Sequence, residues 1–359
     1  MINVEIKKYK NNQIICLQNE KTDKLFVLRS GSIKVYVNVE KKITEDIVTK
    51  TGKVVNIINT PNQTIGEIGL LLNRERSASL VAEGQVELEI ITFAEGVNLN
   101  EIIKLNKEIG ISILNTVIDR IIHTASQINS LKDKIDENLS GITKYTQKLF
   151  QMKIEGSGLN TQIQNLKKNM KSKYEMVRDN IQSVNRDYGT YKSAEIQENN
   201  VFEKKTIFFN KSNQDDSFYL LLSGKISILC NKLTVYTSDK KHTILTNFSM
   251  LLKEPKNENY FEFVCNEESK IKKIEKSTFH EMLEKEPVLY SYLSKILSLL
   301  LVNTDKTLLD LSKKNESLTQ LIFKDADSLN KIFSIIKETS KDEEQKKCAD
   351  EFFNEIKSA

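Results

Sequence analysis

The chain has 359 residues, which is enough for two or three domains that each bury a hydrophobic core. Its 39% hydrophobic and 28% charged residues are typical of a soluble globular protein, and a formal charge of +4 over this length does not indicate nucleic-acid binding. The cysteines are far apart and form no CxxC pair, which disfavours a disulfide framework or a zinc knuckle. The chain start predicts no signal peptide, and no apolar run approaches the roughly 20 residues of a membrane helix, so we expect a cytoplasmic protein. The abundance of Lys, Asn and Ile is typical of an AT-rich bacterial genome.

Residues 1–100 are predicted to form short β-strands. Apolar and polar residues alternate in several short runs, and the strands are expected at 25–28, 33–37, 54–58, 79–82 and 86–92. Gly31 can adopt the positive φ of a tight turn between the first two runs. Many short strands separated by turn signals favour a β-roll or barrel.

Among these strands lies a stretch with the chemistry of a phosphate and sugar site. It consists of Gly66-Glu67-Ile68-Gly69-Leu70-Leu71 followed by Arg76-Ser77-Ala78-Ser79. Gly66 lets the backbone close on a ligand, and Glu67 offers acceptor oxygens for a sugar hydroxyl. The apolar run after Glu67 predicts one helical turn, whose free N–H groups would face an anion. Arg76 adds a fixed fork of donors suited to phosphate oxygens, and Ser77 and Ser79 can add hydroxyl donors.

This stretch resembles the phosphate-binding cassette of the cyclic nucleotide-binding domain family. The family pattern is Gly-Glu-apolar-Gly/Ala-Leu, a short variable loop, then Arg-Ser/Thr/Ala-Ala-Ser/Thr. The resemblance implies a β-roll in which Glu67 holds the ribose 2′-hydroxyl and Arg76 pairs with the cyclic phosphate. It assigns ligand binding in the cassette to Gly66, Glu67, Ile68, Gly69, Arg76, Ser77 and Ala78. The alternative is a strand, a turn and a surface Arg–Glu pair with no ligand.

From Leu99 onward the apolar pattern changes to that of a helix. A core-facing stripe is predicted at Ile102, Ile109, Ile113, Val117 and Ile121. The segment from Arg120 to Ser126 resembles the ligand-covering helix of the catabolite-activator members of the family, where a threonine contacts adenine. The resemblance assigns that contact to Thr124, with Ala125 where those members have a serine. It therefore favours cyclic AMP over cyclic GMP, although the hydroxyl of Ser77 could also bond a guanine amino group.

The helix continues as a heptad pattern. Apolar residues recur every seven positions at Ile121, Ile128, Ile135, Ile142 and Leu149. Gly156-Ser157-Gly158 interrupts the pattern, and a second apolar pattern runs from Leu159 to Val184. Two helices of this kind form either a hairpin or a coiled coil with a second chain, as in a homodimer, and periodicity does not separate these. The lysines between 167 and 173 indicate a solvated helix face rather than a nucleic-acid contact.

A second set of strands follows Gly189 and echoes the first. Residues 218–229 repeat the pattern of 26–37, with Ser223-Gly224 in the place of Ser30-Gly31. The stretch that corresponds to the cassette is about 15 residues shorter and lacks both the Gly-Glu pair and the arginine. In their place stand Phe248, Met250, Leu251 and Leu252 with Lys253, Pro255 and Lys256. The sequence therefore predicts a degenerate second copy that binds no nucleotide and either closes its own core or meets another protein.

The remaining residues carry no sign of DNA binding or catalysis. The tail from Asn303 to Ala359 is helical in pattern, contains no arginine or glycine and is more acidic than basic, which disfavours a winged helix-turn-helix. Motifs of nucleoside triphosphatases, zinc proteases, serine hydrolases and kinases are absent from the sequence. His123, His242 and His280 are isolated. We therefore expect no catalytic residue, no metal site and no cofactor.

These observations together predict an α+β protein with two β-roll domains joined by long helices. The expected parts are residues 1–135, a nucleotide-binding β-roll with its helix; 136–189, a helical linker; 190–302, the degenerate β-roll; and 303–359, a helical tail. The expected function is a non-enzymatic receptor that passes the signal to a protein partner. A structural scaffold with a vestigial site and a DNA-binding regulator remain as alternatives.

Overall fold

The structure is a computed structural model, and it describes residues 2–40, 42–93, 99–151, 192–193, 200–210, 216–252 and 259–339, with scattered positions between 161 and 175 and between 343 and 350. The predicted Gly156–Gly158 interruption, the second apolar pattern from Leu159, most of the basic face and residues 253–258 lie outside this part of the chain. Among the described residues, no helix combines the length and hydropathy that are needed to span a bilayer.

The first β-unit, which we define as residues 2–93, is a six-stranded antiparallel sheet. Its strands are β1 Ile2–Tyr9, β2 Ile14–Cys16, β3 Lys24–Val37, β4 Lys53–Ile58, β5 Thr64–Ile65 and β6 Ser79–Phe93. The order is β1-β6-β3-β4, with β2 paired to β6 and β5 paired to β3. Each predicted strand falls within an observed strand, but the runs 25–28 and 33–37 are one strand, β3, and the runs 79–82 and 86–92 are one strand, β6. Alternating residues of β3 and β6 enclose one apolar core. That core contains Tyr9, Cys16, Phe26, Leu28, Ile33, Ile58, Ile65, Leu80, Ala82, Val86, Leu88 and Ile90.

The predicted turn at Gly31 is wrong. Gly31 has the expected positive φ of +98°, but it lies inside the continuous strand β3. The pairing of β3 with β6 shifts register between Leu28 and Ser32, which marks an irregularity of the bulge type rather than a chain reversal. A Cβ at Gly31 would overlap the carbonyl oxygen of Gln85, so glycine is needed for space as well as for backbone conformation.

Four helices accompany the first β-unit. They are α1 Glu45–Thr51, α2 Glu67–Leu72, α3 Leu99–Leu105 and α4 Lys107–Gln151. The single helical turn predicted after Gly66 is confirmed as α2. The predicted core-facing stripe is also confirmed, because Ile102, Ile113, Val117 and Ile121 are buried and Ile109 packs against them. Helix α4 continues unbroken through residue 135.

The second β-unit, residues 192–274, contains two sheets. Its strands are β7 Lys192–Ser193, β8 Asn200–Phe202, β9 Thr206–Phe209, β10 Phe218–Ser223, β11 Ile226–Cys230, β12 Leu233–Ser238, β13 Ile244–Leu245, β14 Phe261–Cys265 and β15 Ser269–Ile274. One sheet has the order β13-β10-β15-β8 and the other β12-β11-β14-β9-β7. A 3-10 helix, Phe248–Leu251, follows β13.

Two helices complete the described chain, α5 Lys276–Lys285 and α6 Val288–Thr339. Helix α6 begins at Val288, directly after Pro287, because proline interrupts a helix interior but is tolerated at a helix start. It contacts α2, α3, α4 and β12, so it joins the two β-units.

Three of the five heptad positions of α4 are buried within the chain, and the side chains of the other two, Ile142 and Leu149, lie outside the described part of the chain. Ile121, Ile128 and Ile135 have no exposed surface, and they share one apolar cluster with residues of α6 and of the second β-unit. The apolar face of α4 was predicted correctly. In the structure this face packs against α6 and the second β-unit. These three positions are therefore not available to a second chain.

Candidate functional site

The site is centred on Gly66, which joins β5 to α2. Strand β5 is buried and pairs with β3, so the chain reaches Gly66 from inside the β-unit. Gly66 adopts a left-handed conformation with φ +87° and ψ 8°, and it caps the start of α2. A Cβ at this position would overlap Nη1 of Arg76. Glycine is therefore required twice, for the backbone conformation and for the approach of the guanidinium.

Arg76 is held as a buried cation. Its side chain is 7% exposed, Nη2 donates to the carbonyl oxygen of Lys24 at 2.8 Å, and the guanidinium carbon lies 4.8 Å from the ring centre of Phe26. The backbone of Arg76 is fixed by hydrogen bonds with Glu20 and Asn19. Among the residues that the structure describes, no carboxylate forms an ion pair with Arg76. The ring of Phe26 stabilises the guanidinium of Arg76 only in part, so the guanidinium can still pair with an anion.

Glu67 is the first residue of α2 and is only 2% exposed. Its Oε1 accepts from Nη1 of Arg120 at 3.3 Å. Burial raises the pKa of this carboxyl, and the positive charges of Arg120 and Arg76 act against that rise. Glu67 thus presents buried acceptor oxygens within the influence of Arg120 and Arg76.

The other predicted cassette residues differ in their exposure. Ile68 and Ala78 are half-buried, Ser77 is exposed, and Gly69 is buried. A Cβ at Gly69 would overlap the hydroxyl of Thr22, so this glycine is needed for packing.

Hydrogen bonds fix the part of the cassette that follows α2. Thr22 donates to the carbonyl oxygen of Arg74 at 2.8 Å, and the amide of Arg74 donates to Gly69. Ser79 is fully buried, and its hydroxyl accepts from the amide of Gln18 at 2.9 Å. The hydroxyl of Ser79 thus serves the local fold.

Thr124 lies on α4 and is buried. The structure brings it to Asp305 of α6, because its hydroxyl donates to Oδ1 of that residue at 3.0 Å. Arg120 lies one turn before Thr124, and its Nη2 is 3.7 Å from Oδ2 of Asp305. Burial raises the pKa of Asp305, against the effects of Arg120 and Thr124. A polar chain of Glu67, Arg120, Asp305 and Thr124 therefore ties α2, α4 and α6 together.

Arg120 and Asp305 are the two site residues that sequence reasoning missed. Arg120 could have been found, since it is four positions from Thr124 and such pairs share a helix face. Asp305 is 181 positions from Thr124, and no local pattern connects the two. Within the described part of the chain, no cluster of His, Cys, Asp or Glu residues is placed to hold a metal ion.

The corresponding part of the second β-unit is apolar. The 3-10 helix after β13 buries Phe248, Met250 and Leu251, and it packs against α4. The ring of Phe248 meets those of Phe261 and Phe263 at 5.4 and 6.0 Å between centres. No arginine follows Arg186 anywhere in the sequence, so the second β-unit has no guanidinium to offer a phosphate.

Comparison with known proteins gives a family match for the first β-unit, which contains the cassette. Residues 6–95 match the model of the family described as "Cyclic nucleotide-binding domain". Among curated proteins no match was found.

Three solved structures illustrate the similarity. The cAMP-bound form of the EAL enzyme Bd1971 is 24% identical over 24% of this chain and 21% of its own, with a TM-score of 0.21. The cAMP-bound PfPKA-R is 13% identical over 79% of this chain and 74% of its own, with a TM-score of 0.27. A cyclic nucleotide-binding domain from Methylobacillus flagellatus KT is 16% identical over 25% of this chain and 45% of its own, with a TM-score of 0.21. The chain thus spans about a fifth of the first of these proteins.

Proposed function

We propose that the chain is a non-enzymatic, cytoplasmic receptor that binds a cyclic nucleotide in the first β-unit and passes the signal through α4 to a protein partner. The observation that carries this proposal is the buried guanidinium of Arg76, which has no ion-pair partner among the described residues and lies against Gly66. Burying an unpaired charge is costly, so an anion that binds here is stabilised by the site and stabilises it in return.

A cyclic phosphate suits this arginine better than a more highly charged anion. It carries one negative charge, which one arginine can neutralise, and its oxygens suit the guanidinium fork. Gly66 brings the backbone close to the same point without a side chain in the way. The amides at the start of α2 lack partners within their own helix and can donate to the phosphate as well.

The sugar is expected at Glu67. A buried carboxylate accepts well from a ribose 2′-hydroxyl, and its present contact with Arg120 is long at 3.3 Å. A ribose hydroxyl can therefore share or replace that contact. For the base, the sequence prediction of adenine rests on Thr124. A hydroxyl can donate or accept, so Thr124 by itself does not choose between purines.

The second β-unit is proposed to be a degenerate copy that binds no nucleotide. The segment that corresponds in sequence to the cassette is a 3-10 helix with mainly apolar side chains. This 3-10 helix packs on α4, and Arg120 of α4 contacts Glu67. A ligand that changes the Glu67–Arg120 contact therefore acts on a helix that the second β-unit also touches. This arrangement supports an interaction module that responds to the first site.

The test is calorimetric titration of the full chain with cyclic AMP and cyclic GMP, using Arg76→Ala as the site variant. Loss of a desolvated charge-assisted contact costs about 2–5 kcal/mol, so we expect affinity to fall by about 30-fold or more. Arg76→Lys keeps the charge but lacks the fork, and it should show an intermediate loss. Glu67→Ala should weaken binding less than Arg76→Ala, because the phosphate remains held.

Arg74→Ala is the matched control, since Arg74 is exposed and lies two residues away in the same loop. It should bind as the unaltered chain does. Equal affinities for Arg76→Ala and the unaltered chain would remove the cassette from the proposal. No binding of either nucleotide to the unaltered chain would favour the scaffold alternative.

A further inference from the structure

Strand β1 forms one edge of the sheet in the first β-unit. Within the described part of the chain it pairs only with β6, and the pairing from Ile2 to Tyr9 runs without a register shift. Residues 3–8 are all exposed, although the side chains of a strand alternate between the two faces of a sheet. Neither face of β1 is therefore covered over these residues. The outer row of backbone N–H and C=O groups of β1 can pair with another strand.

The opposite edge of the sheet, β4, is less suited to such pairing. Its register with β3 shifts between Asn56 and Val54, which leaves Val55 as a bulge without an opposite residue. The side-chain oxygen of Asn56 also accepts from the amide of Ile57 at 2.8 Å, so a donor of this strand is used locally. Bulges protect edge strands from association. Strand β1 has neither feature, because its pairing with β6 is regular.

The exposed side chains of β1 are apolar on one face and charged on the other. Val4 and Ile6 are 53% and 65% exposed, and they share a face because they are two residues apart. Glu5 and Lys7 lie on the other face, where Nζ of Lys7 is 5.1 Å from the ring centre of Tyr9. Among the described residues, neither Glu5 nor Lys7 forms an ion pair. Both charges are therefore free to pair with a second chain.

A second copy of β1 can pair with this edge in only a few registers. A two-fold axis makes the two strands antiparallel. Opposite residues of an antiparallel pair direct their backbone groups the same way, towards each other or away, so in two copies of one strand they lie an even number of positions apart. The axis therefore passes through one residue, which lies opposite its own copy. Glu5 or Lys7 at the axis sets like charges opposite each other, and Val4 at the axis leaves residues 7–9 without opposite residues in the strand.

Ile6 at the axis is the register that the side chains favour. The two Ile6 side chains then lie opposite each other and bury apolar surface. Glu5 of each copy lies opposite Lys7 of the other copy, which gives two cross-strand ion pairs. Val4 lies opposite Lys8, whose aliphatic stem can cover it. The sequence of β1 is thus complementary to itself in one register.

We propose that β1 is the interface of a symmetric homodimer, in which two copies of the chain pair antiparallel through β1 with the two-fold axis at Ile6. The two six-stranded sheets then form one continuous sheet. This interface differs from the heptad positions of α4 that are buried within the chain. It contains no residue of the candidate nucleotide site, so it does not depend on the proposed function.

The test is the molar mass of the full chain, measured by analytical ultracentrifugation over a range of protein concentrations. The mass of the unaltered chain should rise from that of one chain to that of two. Ile6→Lys sets two ammonium groups opposite each other at the axis and should leave only monomer. Because Ile6 is exposed, this variant should fold normally, which circular dichroism checks. Val55→Lys is the matched control, since Val55 is 55% exposed on the other edge strand and should leave the dissociation constant unchanged.

A charge exchange tests the register. Glu5→Lys and Lys7→Glu each turn two cross-strand attractions into repulsions, so each should weaken the dimer by about tenfold or more. The double variant restores opposite charges in the same register and should recover the dissociation constant to within about threefold. The proposal is overturned by a chain that stays monomeric, or by a dimer that survives Ile6→Lys or dissociates equally in Val55→Lys. It is also overturned by charge variants that leave the dimer unchanged or that the double variant does not rescue.

Discussion

At the scale of single residues, Gly66 is the position on which the site most depends. A side chain there would be strained by the backbone, at φ +87°, and would overlap Arg76. We expect Gly66→Ala to lower the free energy of unfolding by about 1–3 kcal/mol, the usual cost of a non-glycine residue in a strained conformation, and also to abolish nucleotide binding. Urea unfolding and calorimetric titration measure the two effects separately.

The variant Gly84→Ala separates the effect of backbone strain from the effect of steric overlap with Arg76. Gly84 also has a positive φ, +73°, but a Cβ there would meet no atom within 4 Å. This variant should lose a comparable amount of stability and keep its affinity for the nucleotide. If both variants bind equally well, the approach of Arg76 to Gly66 is not needed for the site.

The sequence predicted that the cassette residues lie near one another, because they are close along the chain. Gly66, Glu67 and Arg76 fall within one short segment, and the need for glycine at Gly66 follows from local backbone conformation. The ion pair of Glu67 could not be predicted in the same way, since Arg120 lies 53 positions away along the chain. The proximity of residues within one segment was thus readable from the sequence, and their partners across the fold were not.

At the scale of elements, α4 shows what periodicity can and cannot establish. The heptad positions predict an apolar face correctly, but a repeat of seven does not reveal whether the cover comes from the same chain or from another. Similarly, positive φ at Gly31 was expected, whereas the choice between a turn and an irregular continuous strand depended on pairing with β6. Both differences arise from contacts that are distant in sequence.

We expect Ile128→Ala to cost about 2–5 kcal/mol in unfolding free energy, because the residue is fully buried among α6 and the second β-unit and the cavity cannot collapse completely. Ile128→Val removes one methylene and should cost about 0.5–1.5 kcal/mol. Chemical denaturation of both variants gives these values directly.

The burial of Ile128 within its own chain also predicts how the stability loss depends on protein concentration. The loss of unfolding free energy in Ile128→Ala should be the same in dilute and concentrated protein, since residues of the same chain bury this position. A loss that grows with protein concentration would instead assign the heptad face to a dimer, because mass action then enters the measured stability.

At the scale of the whole molecule, polar contacts hold the second β-unit and α5 against α4. Lys107 donates to Glu284 at 2.7 Å, and Asn231 donates to Asp133 at 2.9 Å. The thiol of Cys230 donates to the carbonyl oxygen of Ala125 at 3.5 Å. Because α6 and the second β-unit cover the apolar face of α4, binding experiments belong on the full chain rather than on an isolated first β-unit.

We expect the full chain to bind one nucleotide. The second β-unit offers aromatic and aliphatic side chains where a phosphate would need a paired cation, and a buried charge without one is unfavourable. Calorimetric stoichiometry of the full chain should therefore be one ligand per chain, and Arg76→Ala should remove that site without leaving a second. Two ligands per chain, or one that survives in Arg76→Ala, would show that the second β-unit also binds.

The distance along the chain between Thr124 and Asp305 has a consequence for synthesis. Arg76 and Glu67 leave the ribosome long before Asp305, which follows Thr124 by 181 residues. If the first β-unit folds as it emerges, Arg76 and Glu67 are in place before α6 exists. At that stage Arg120 and Thr124 lack Asp305, so the polar chain that ties α2, α4 and α6 together forms only once α6 has been made and packed.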